Sequence, residues 1–158
     1  MSELYDSIRL THLAATFTRA LGVDAPEGAE SPCDIVLDRL FAEFGEGGAD
    51  RVFIYNPDAV ALWLFQKYTE LFKDAISRTQ IQLPILSVMP SVTPVCFASM
   101  YSGVMPEIHG IMRYEKPVLK IKTVFDALAA AGKRCAIVST EGDSISKIFL
   151  ERDIDYYI

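Results

Sequence analysis

The sequence is poor in the residues from which metal and redox sites are usually built. It contains two histidines, His12 and His109, and three cysteines that are scattered without C-x-x-C spacing. This spacing excludes zinc-ribbon and thioredoxin-like patterns, and an odd number of thiols is typical of a reducing compartment. No glycine-rich phosphate loop is present either. The cysteines are Cys33, Cys96 and Cys135.

Positive charge and long apolar runs are also scarce. Lys and Arg number 15 against 21 Asp and Glu, which gives a net charge of −6. Because no basic cluster is interleaved with aromatic residues, we expect no binding to nucleic acid. No apolar run approaches the length of a membrane span, and the first residues lack the pattern of a signal peptide. We therefore expect a cytoplasmic protein without membrane contact.

The chain is nonetheless 51% hydrophobic, which is ample for one core. We predict a single α/β domain over residues 1–158, with an N-terminal helical segment (1–50) packed on a core (51–158). Apolar spacing predicts helices at Leu4–Leu21 and Ile35–Phe44 in that segment, and one helical face from Ala61 to Phe72 in the core.

The most informative segment runs from Pro90 to Ile111. It follows a short apolar run, Ile85–Met89, that is typical of a buried strand. Thr93 then stands at the position of a helix N-cap, with Pro94 at the first helical residue. An anion approaching Thr93 would meet free backbone N–H groups and the positive end of the helix dipole. A threonine there also serves simply as a cap, so the local pattern leaves both roles open.

A second segment, Arg51–Asp58, is predicted to be an apolar strand that ends in a turn carrying a carboxylate. Asp58 and Thr93 would then follow two successive strands, at the edge of a parallel sheet where ligands bind. Asp58 is also well placed to cap the following helix, and local pattern does not separate that role from metal ligation.

The run P-x-x-T-x(9)-G-x-x-P-E-x-H-G-I over Pro90–Ile111 resembles the nucleophile segment of the alkaline phosphatase superfamily, most closely its type I phosphodiesterase/nucleotide pyrophosphatase branch. The resemblance implies an α/β fold with a mostly parallel sheet sandwiched by helices. It implies that Thr93 attacks phosphorus and that Asp58 and Thr93 are ligands of a divalent metal, usually zinc, with manganese or magnesium as alternatives. It further implies a small phosphorylated substrate, an ester or a diester.

This chain departs from the family pattern in several ways. Asp58 is followed by Ala59 where the commonest family form has glycine. Cys96 does not match the sulfatase nucleophile and is interpreted as a small buried residue, and His109 matches a family histidine that is structural. The ligands of the family's second metal find no match, so we expect that site not to be encoded here.

The C-terminal region is predicted to form a helix Lys122–Ala131, a strand Arg134–Ser139, a helix Ile145–Glu151 capped by Ser144, and a strand Ile154–Ile158. The last strand ends the chain inside an apolar run, so we expect the N-terminal part of a longer, C-terminally incomplete fold. Polar residues after the first of these strands are further site candidates, although such residues usually form only a loop. They are Thr140, Glu141 and Asp143.

Two other functions remain open. The chain would be a catalytically incomplete family member that acts as an oligomer or scaffold, pairing through an open sheet edge. Alternatively, it would be a small module that holds a phosphate or nucleotide at Thr93 without turnover.

Overall fold

The computed structural model describes residues 8–157 and shows short helices, long extended segments and a small sheet. A 3-10 helix spans Thr69–Phe72, and the strands are β1 (Ala136–Val138) and β2 (Asp155–Tyr157). The α-helices are α1 (His12–Ala20), α2 (Asp34–Phe44), α3 (Leu62–Lys67), α4 (Lys73–Arg78), α5 (Thr93–Ser102), α6 (Pro106–His109), α7 (Val124–Ala130) and α8 (Ser144–Ile148).

The sheet is built from a βαβ unit, β1–α8–β2. Its two strands are parallel, with Ala136 opposite Asp155 and Val138 opposite Tyr157. Helix α8 is therefore the crossover that a parallel pair requires. Elsewhere in residues 8–157, strand-like pairing is limited to one parallel bridge between Arg9 and Leu86. The protein thus combines helices with parallel strands, in agreement with a mixed α/β class.

Helix α5 lies at the centre of the packing and contacts α1, α6, α7 and α8. The small residues Ala98, Ser99 and Ser102 of this helix are fully buried. Gly103 ends the helix with φ 79°, and a Cβ there would lie 2.5 Å from the Cβ of Ala29. Any larger residue at Gly103 would therefore push the 25–32 loop away.

Three aromatic rings join α5 to the C-terminal half. Tyr101 stacks on Phe125 with ring centroids 5.1 Å apart. Phe149 packs edge-on against both rings, with its centroid 5.3 Å from that of Tyr101 and 5.0 Å from that of Phe125. Such offset and edge-on pairs add to the burial of apolar area. The core also takes in Leu10 and Ala14, so the N-terminal region packs against the same cluster.

Two predicted strands are wrong. Residues 51–55 are extended but make no backbone hydrogen bond to another described segment, and Phe53 and Tyr55 are 89% and 77% exposed. Residues 85–89 pair only at Leu86, and Met89 is 74% exposed. An apolar run becomes a buried strand only where neighbouring strands satisfy its N–H and C=O groups. Within the described chain, residues 51–55 have no such neighbour, and residues 85–89 have one only at Leu86.

The predicted helical face from Ala61 to Phe72 is interrupted. The chain leaves α-helical geometry at Tyr68, and the Thr69 hydroxyl bonds back to the carbonyls of Phe65 and Gln66. The apolar side chains of this region are largely exposed, and Leu71 is 81% exposed. Because the helical face does not pack against another part of the protein, little stabilises one continuous helix.

Most other elements are confirmed with shifted ends. The first helix begins at His12, and Leu4 to Ser7 of the predicted helix lie outside the described residues. The next helix agrees with its predicted range. The helix α8 is capped by Asp143, which accepts a hydrogen bond from the Ser146 N–H, so the expected cap at Ser144 is wrong. Between residues 8 and 157, no helix combines the length and apolar character needed to cross a membrane.

Candidate functional site

A cavity of about 910 Å³ opens between the extended segment 51–56, one face of α5 and the residues that follow β1. Its wall includes both residues singled out from the sequence, Asp58 and Thr93. The structure therefore places the predicted nucleophile and the predicted ligand on the wall of the same cavity, even though neither follows a regular strand.

One face of α5 forms the wall of this cavity. Thr93, Phe97 and Tyr101 all border it and are spaced four residues apart. Residues at i and i+4 lie one above the other on a helix, so this spacing places all three on the same side. Helix rise gives roughly 12 Å between the Cα atoms of Thr93 and Tyr101. The cavity thus extends along about two turns of α5.

Thr93 is half-buried and is the first residue of α5, preceded by Val92 in extended geometry. Its side chain makes no cap, and its hydroxyl forms no hydrogen bond with another residue of the described range. The prediction that Thr93 is an N-cap is therefore wrong by one position, since Val92 occupies it. A hydroxyl that is engaged in a cap hydrogen bond is poorly suited to nucleophilic attack. Because Thr93 is not the cap, its hydroxyl is free of such a bond.

Asp58 is exposed and lies in a turn before α3. Its Oδ1 accepts a hydrogen bond of 2.9 Å from the N–H of Ala59. The cap position of α3 belongs to Ala61, so the alternative role of Asp58 as a helix cap is wrong. Ala59 itself has φ 57°, in the left-handed region that glycine adopts most easily. The turn therefore has the conformation expected for the glycine of the family pattern, but with alanine in it.

The donor set at this cavity limits which metal it can hold. No group of three or more His, Cys, Asp or Glu side chains within residues 8–157 is placed to bind one ion. Structural and catalytic zinc sites take three or four protein ligands, so Asp58 and Thr93 do not fit a tightly held zinc. A single carboxylate such as Asp58 suits magnesium or manganese better, since such ions keep several waters and share ligation with substrate phosphate.

The further candidates after β1 differ in their surroundings. Thr140 and Asp143 border the cavity, whereas Glu141 does not. Asp143 is already engaged as the cap of α8 through its Oδ1. We therefore assign Asp143 a structural role at the rim of the cavity.

Three cavity residues were not singled out from the sequence. Asn56 Nδ2 donates to the Tyr101 hydroxyl at 2.8 Å, and Lys116 Nζ donates to the Gly142 carbonyl at 2.8 Å. Tyr101 could have been found, since it lies two i+4 steps from Thr93. Lys116 and Gly142 are 26 residues apart, and no local pattern connects them.

His109 lies outside the cavity and is buried between α5 and α6. Its Nε2 is 3.0 Å from the Ser99 hydroxyl, and its Nδ1 accepts from the N–H of Ile111. Since Nδ1 accepts, Nε2 carries the proton, and His109 is not placed to act as a base toward Ser99. Burial lowers the pKa of His109 to about 4, against a smaller opposing effect of the Glu107 carboxylate. These contacts agree with the structural role expected for His109.

No protein-family model, curated protein or solved structure matches this chain. Membership in the alkaline phosphatase superfamily therefore stays a prediction from two segments, 51–58 and 90–111. The structural observation that bears on function is the shared cavity of Asp58 and Thr93.

Proposed function

We propose that this chain carries the nucleophile part of a phosphate ester or diester hydrolase of the alkaline phosphatase superfamily, with an alkaline-phosphatase-like core. Thr93 is the nucleophile and Asp58 is the metal ligand. The observation that supports this proposal above all others is that both residues line one cavity, which also has room for a small phosphorylated substrate.

The proposed reaction uses the Thr93 hydroxyl as follows. Its oxygen attacks phosphorus in line with the leaving alcohol, so that a bond from Thr93 to phosphorus forms as the ester bond breaks. Water then hydrolyses the phosphothreonine and releases phosphate or a monoester. A divalent cation bound at Asp58 would supply a lower pKa for the hydroxyl and would offset charge on the phosphoryl oxygens.

Basic side chains at the cavity wall would attract the substrate locally. Although the whole chain has a net charge of −6, the cavity wall includes four basic residues, Arg51, Lys116, Lys133 and Arg134. Lys116 is half-buried and its ammonium group lies 5.5 Å from the ring centroid of Tyr114. Charges near a concave wall act more strongly than the same charges spread over a surface.

The proposal is tested with a chromogenic aryl phosphodiester and added Mn²⁺, Mg²⁺ or Zn²⁺. We expect metal-dependent turnover that Thr93→Val reduces roughly a hundredfold or more, while Thr93→Ser retains part of it. Thr79→Val, at an exposed threonine outside the cavity, is the matched control and should leave turnover unchanged. Equal turnover in Thr93→Val and wild type would refute Thr93 as nucleophile.

A second function is favoured by a different observation. Within the described residues there is no cluster of three metal ligands, and each strand of the two-stranded sheet has an unpaired edge. These features suit a catalytically incomplete family member that self-associates as an oligomer or scaffold. Absence of turnover with every metal, together with a dimer in solution, would favour this function over hydrolysis. Phosphate binding without turnover or dimer would instead favour a phosphate-binding module.

A further inference from the structure

The segment that carries Asp58, residues 51–60, is attached to the rest of the described protein by very few hydrogen bonds. Between residues 51 and 60, no backbone hydrogen bond reaches another described part of the chain. A single side-chain hydrogen bond does so, from Asn56 Nδ2 to the Tyr101 hydroxyl at 2.8 Å. The only other hydrogen bond here is local, between Asp58 and Ala59.

The two ends of this bond differ greatly in rigidity. Tyr101 is only 4% exposed and its ring is fixed by Phe125 and Phe149. Asn56 is half-buried in a segment without regular secondary structure. Ile54, two residues earlier, packs against the core, whereas Phe53 and Tyr55 face outward. Ile54 and Asn56 are thus the inward residues that attach this segment to the protein.

The same helix carries the other half of the candidate site. Thr93 lies on the face of α5 that Tyr101 also occupies, and Asp58 is only two residues beyond Asn56, so the Cα atoms of these two residues lie no more than about 7 Å apart. A bond at Asn56 therefore restricts where the Asp58 carboxylate can lie relative to Thr93.

We infer that Tyr101 is a positioning residue, whose hydroxyl fixes Asn56 and thereby holds the Asp58 carboxylate at the cavity beside Thr93. Tyr101 itself neither attacks nor ligates. This inference rests on the proposed function for the role of Asp58, but the attachment of residues 51–60 to Tyr101 does not depend on it.

Tyr101→Phe keeps the stacked ring and removes the hydroxyl, and Asn56→Ala removes the partner. The matched control is Tyr114→Phe, because Tyr114 also lines the cavity but is 65% exposed and its hydroxyl makes no hydrogen bond with a described residue. Should Tyr101→Phe fold poorly, Asn56→Ala leaves the aromatic cluster intact and tests the same bond.

The first measurement is the rate of tryptic cleavage after the exposed Arg51 in the native protein. We expect both Tyr101→Phe and Asn56→Ala to raise it about fivefold, the double variant to add nothing further, and Tyr114→Phe to match wild type. Equal cleavage in Tyr101→Phe and wild type would overturn the attachment, whatever the protein's activity.

The second measurement is Mn²⁺ affinity, by the loss of the free-ion electron paramagnetic resonance signal. Weaker binding in Tyr101→Phe, by about fivefold with Tyr114→Phe unchanged, would support positioning of Asp58. Faster cleavage with unchanged Mn²⁺ affinity would overturn the positioning role while leaving the proposed function standing. Wild-type protein that binds no Mn²⁺, even at millimolar ion, would overturn both the positioning role and the metal in the proposed function, and the cleavage result would still report on the bond.

Discussion

Ala59 is one of two non-glycine residues between 8 and 157 whose φ is positive, the other being Glu151. Its φ of 57° lies in the left-handed region, which costs a residue with a Cβ about 1–2 kcal/mol. Glycine avoids this cost but loses more conformational entropy on folding. We therefore expect Ala59→Gly to raise the free energy of unfolding by about 0.5–1 kcal/mol, as measured by urea denaturation.

The matched control for this prediction is Ala42→Gly. Ala42 is exposed in the last turn of α2, where glycine should lower the free energy of unfolding by about 0.5–1 kcal/mol. Opposite signs at the two positions are expected. A loss of stability at both would show that the positive φ of Ala59 carries no cost.

His109 should make stability depend on pH. Its pKa is about 4 in the folded protein, because of burial, against an ordinary value of 6.5. The unfolded chain therefore binds the extra proton first, and stability that is full above pH 6.5 is lost as pH falls toward 4. The loss attributable to this residue should reach about 3 kcal/mol near pH 4.

The measurement is the urea midpoint of wild type and His109→Asn between pH 7.5 and 4. Asparagine keeps an acceptor near the Ile111 N–H but does not titrate. The variant should be less stable at pH 7, with a smaller decline toward acid. If the urea midpoints of the two proteins fell in parallel with pH, the prediction would be contradicted, because the pH dependence would then come from groups other than His109.

At the scale of elements, the start of α7 is tied to the turn before β2 by one carboxylate. Asp126 Oδ2 accepts from the Thr123 N–H and hydroxyl, each at 2.8 Å, and lies 3.3 Å from Arg152 Nε. Arg152 also donates to the carbonyls of Leu119 and Ile121. Both charged side chains are largely buried, so removing one leaves the other without its partner.

We expect Asp126→Ala to lower the free energy of unfolding by about 3 kcal/mol or more, since it removes a helix cap and also isolates Arg152. Asp143→Ala removes the cap of α8 and has no ion pair, so it should cost only about 1 kcal/mol. Urea denaturation of the two variants gives the comparison. Similar losses would mean that the Asp126–Arg152 pair contributes nothing beyond the cap.

An element could be predicted from the sequence when its backbone hydrogen bonds are made within the element itself. Helices such as α5 and α7 satisfy their own backbone, so apolar spacing and Pro94 located their ends to within one or two residues. Residues 51–55 have the composition of a strand, but a strand requires a partner that sequence pattern cannot supply. Sequence reasoning singled out four residues of the cavity wall, namely Asp58, Thr93, Thr140 and Asp143. It could not find the Asn56–Tyr101 bond, because that bond joins residues 45 apart.

For the whole molecule, several strongly exposed apolar side chains lie at the cavity wall. Phe53, Tyr55 and Val138 border it and are 89%, 77% and 80% exposed. Exposed apolar side chains beside an unpaired strand edge favour pairing with a second copy of the chain. We expect a concentration-dependent dimer in sedimentation equilibrium, weakened about tenfold by Val138→Lys and unaffected by Ile108→Lys, at an exposed residue outside the cavity.

Dimerisation at this surface would cover the cavity that contains Thr93, so association and turnover should compete. Specific activity of the wild-type protein toward a phosphodiester should therefore fall as its concentration passes the dimer midpoint. In Val138→Lys the same fall should occur only at about tenfold higher concentration. Specific activity that stays constant across the midpoint, with the dimer confirmed in the same samples, would place the interface elsewhere on the molecule and separate the oligomer from the candidate site.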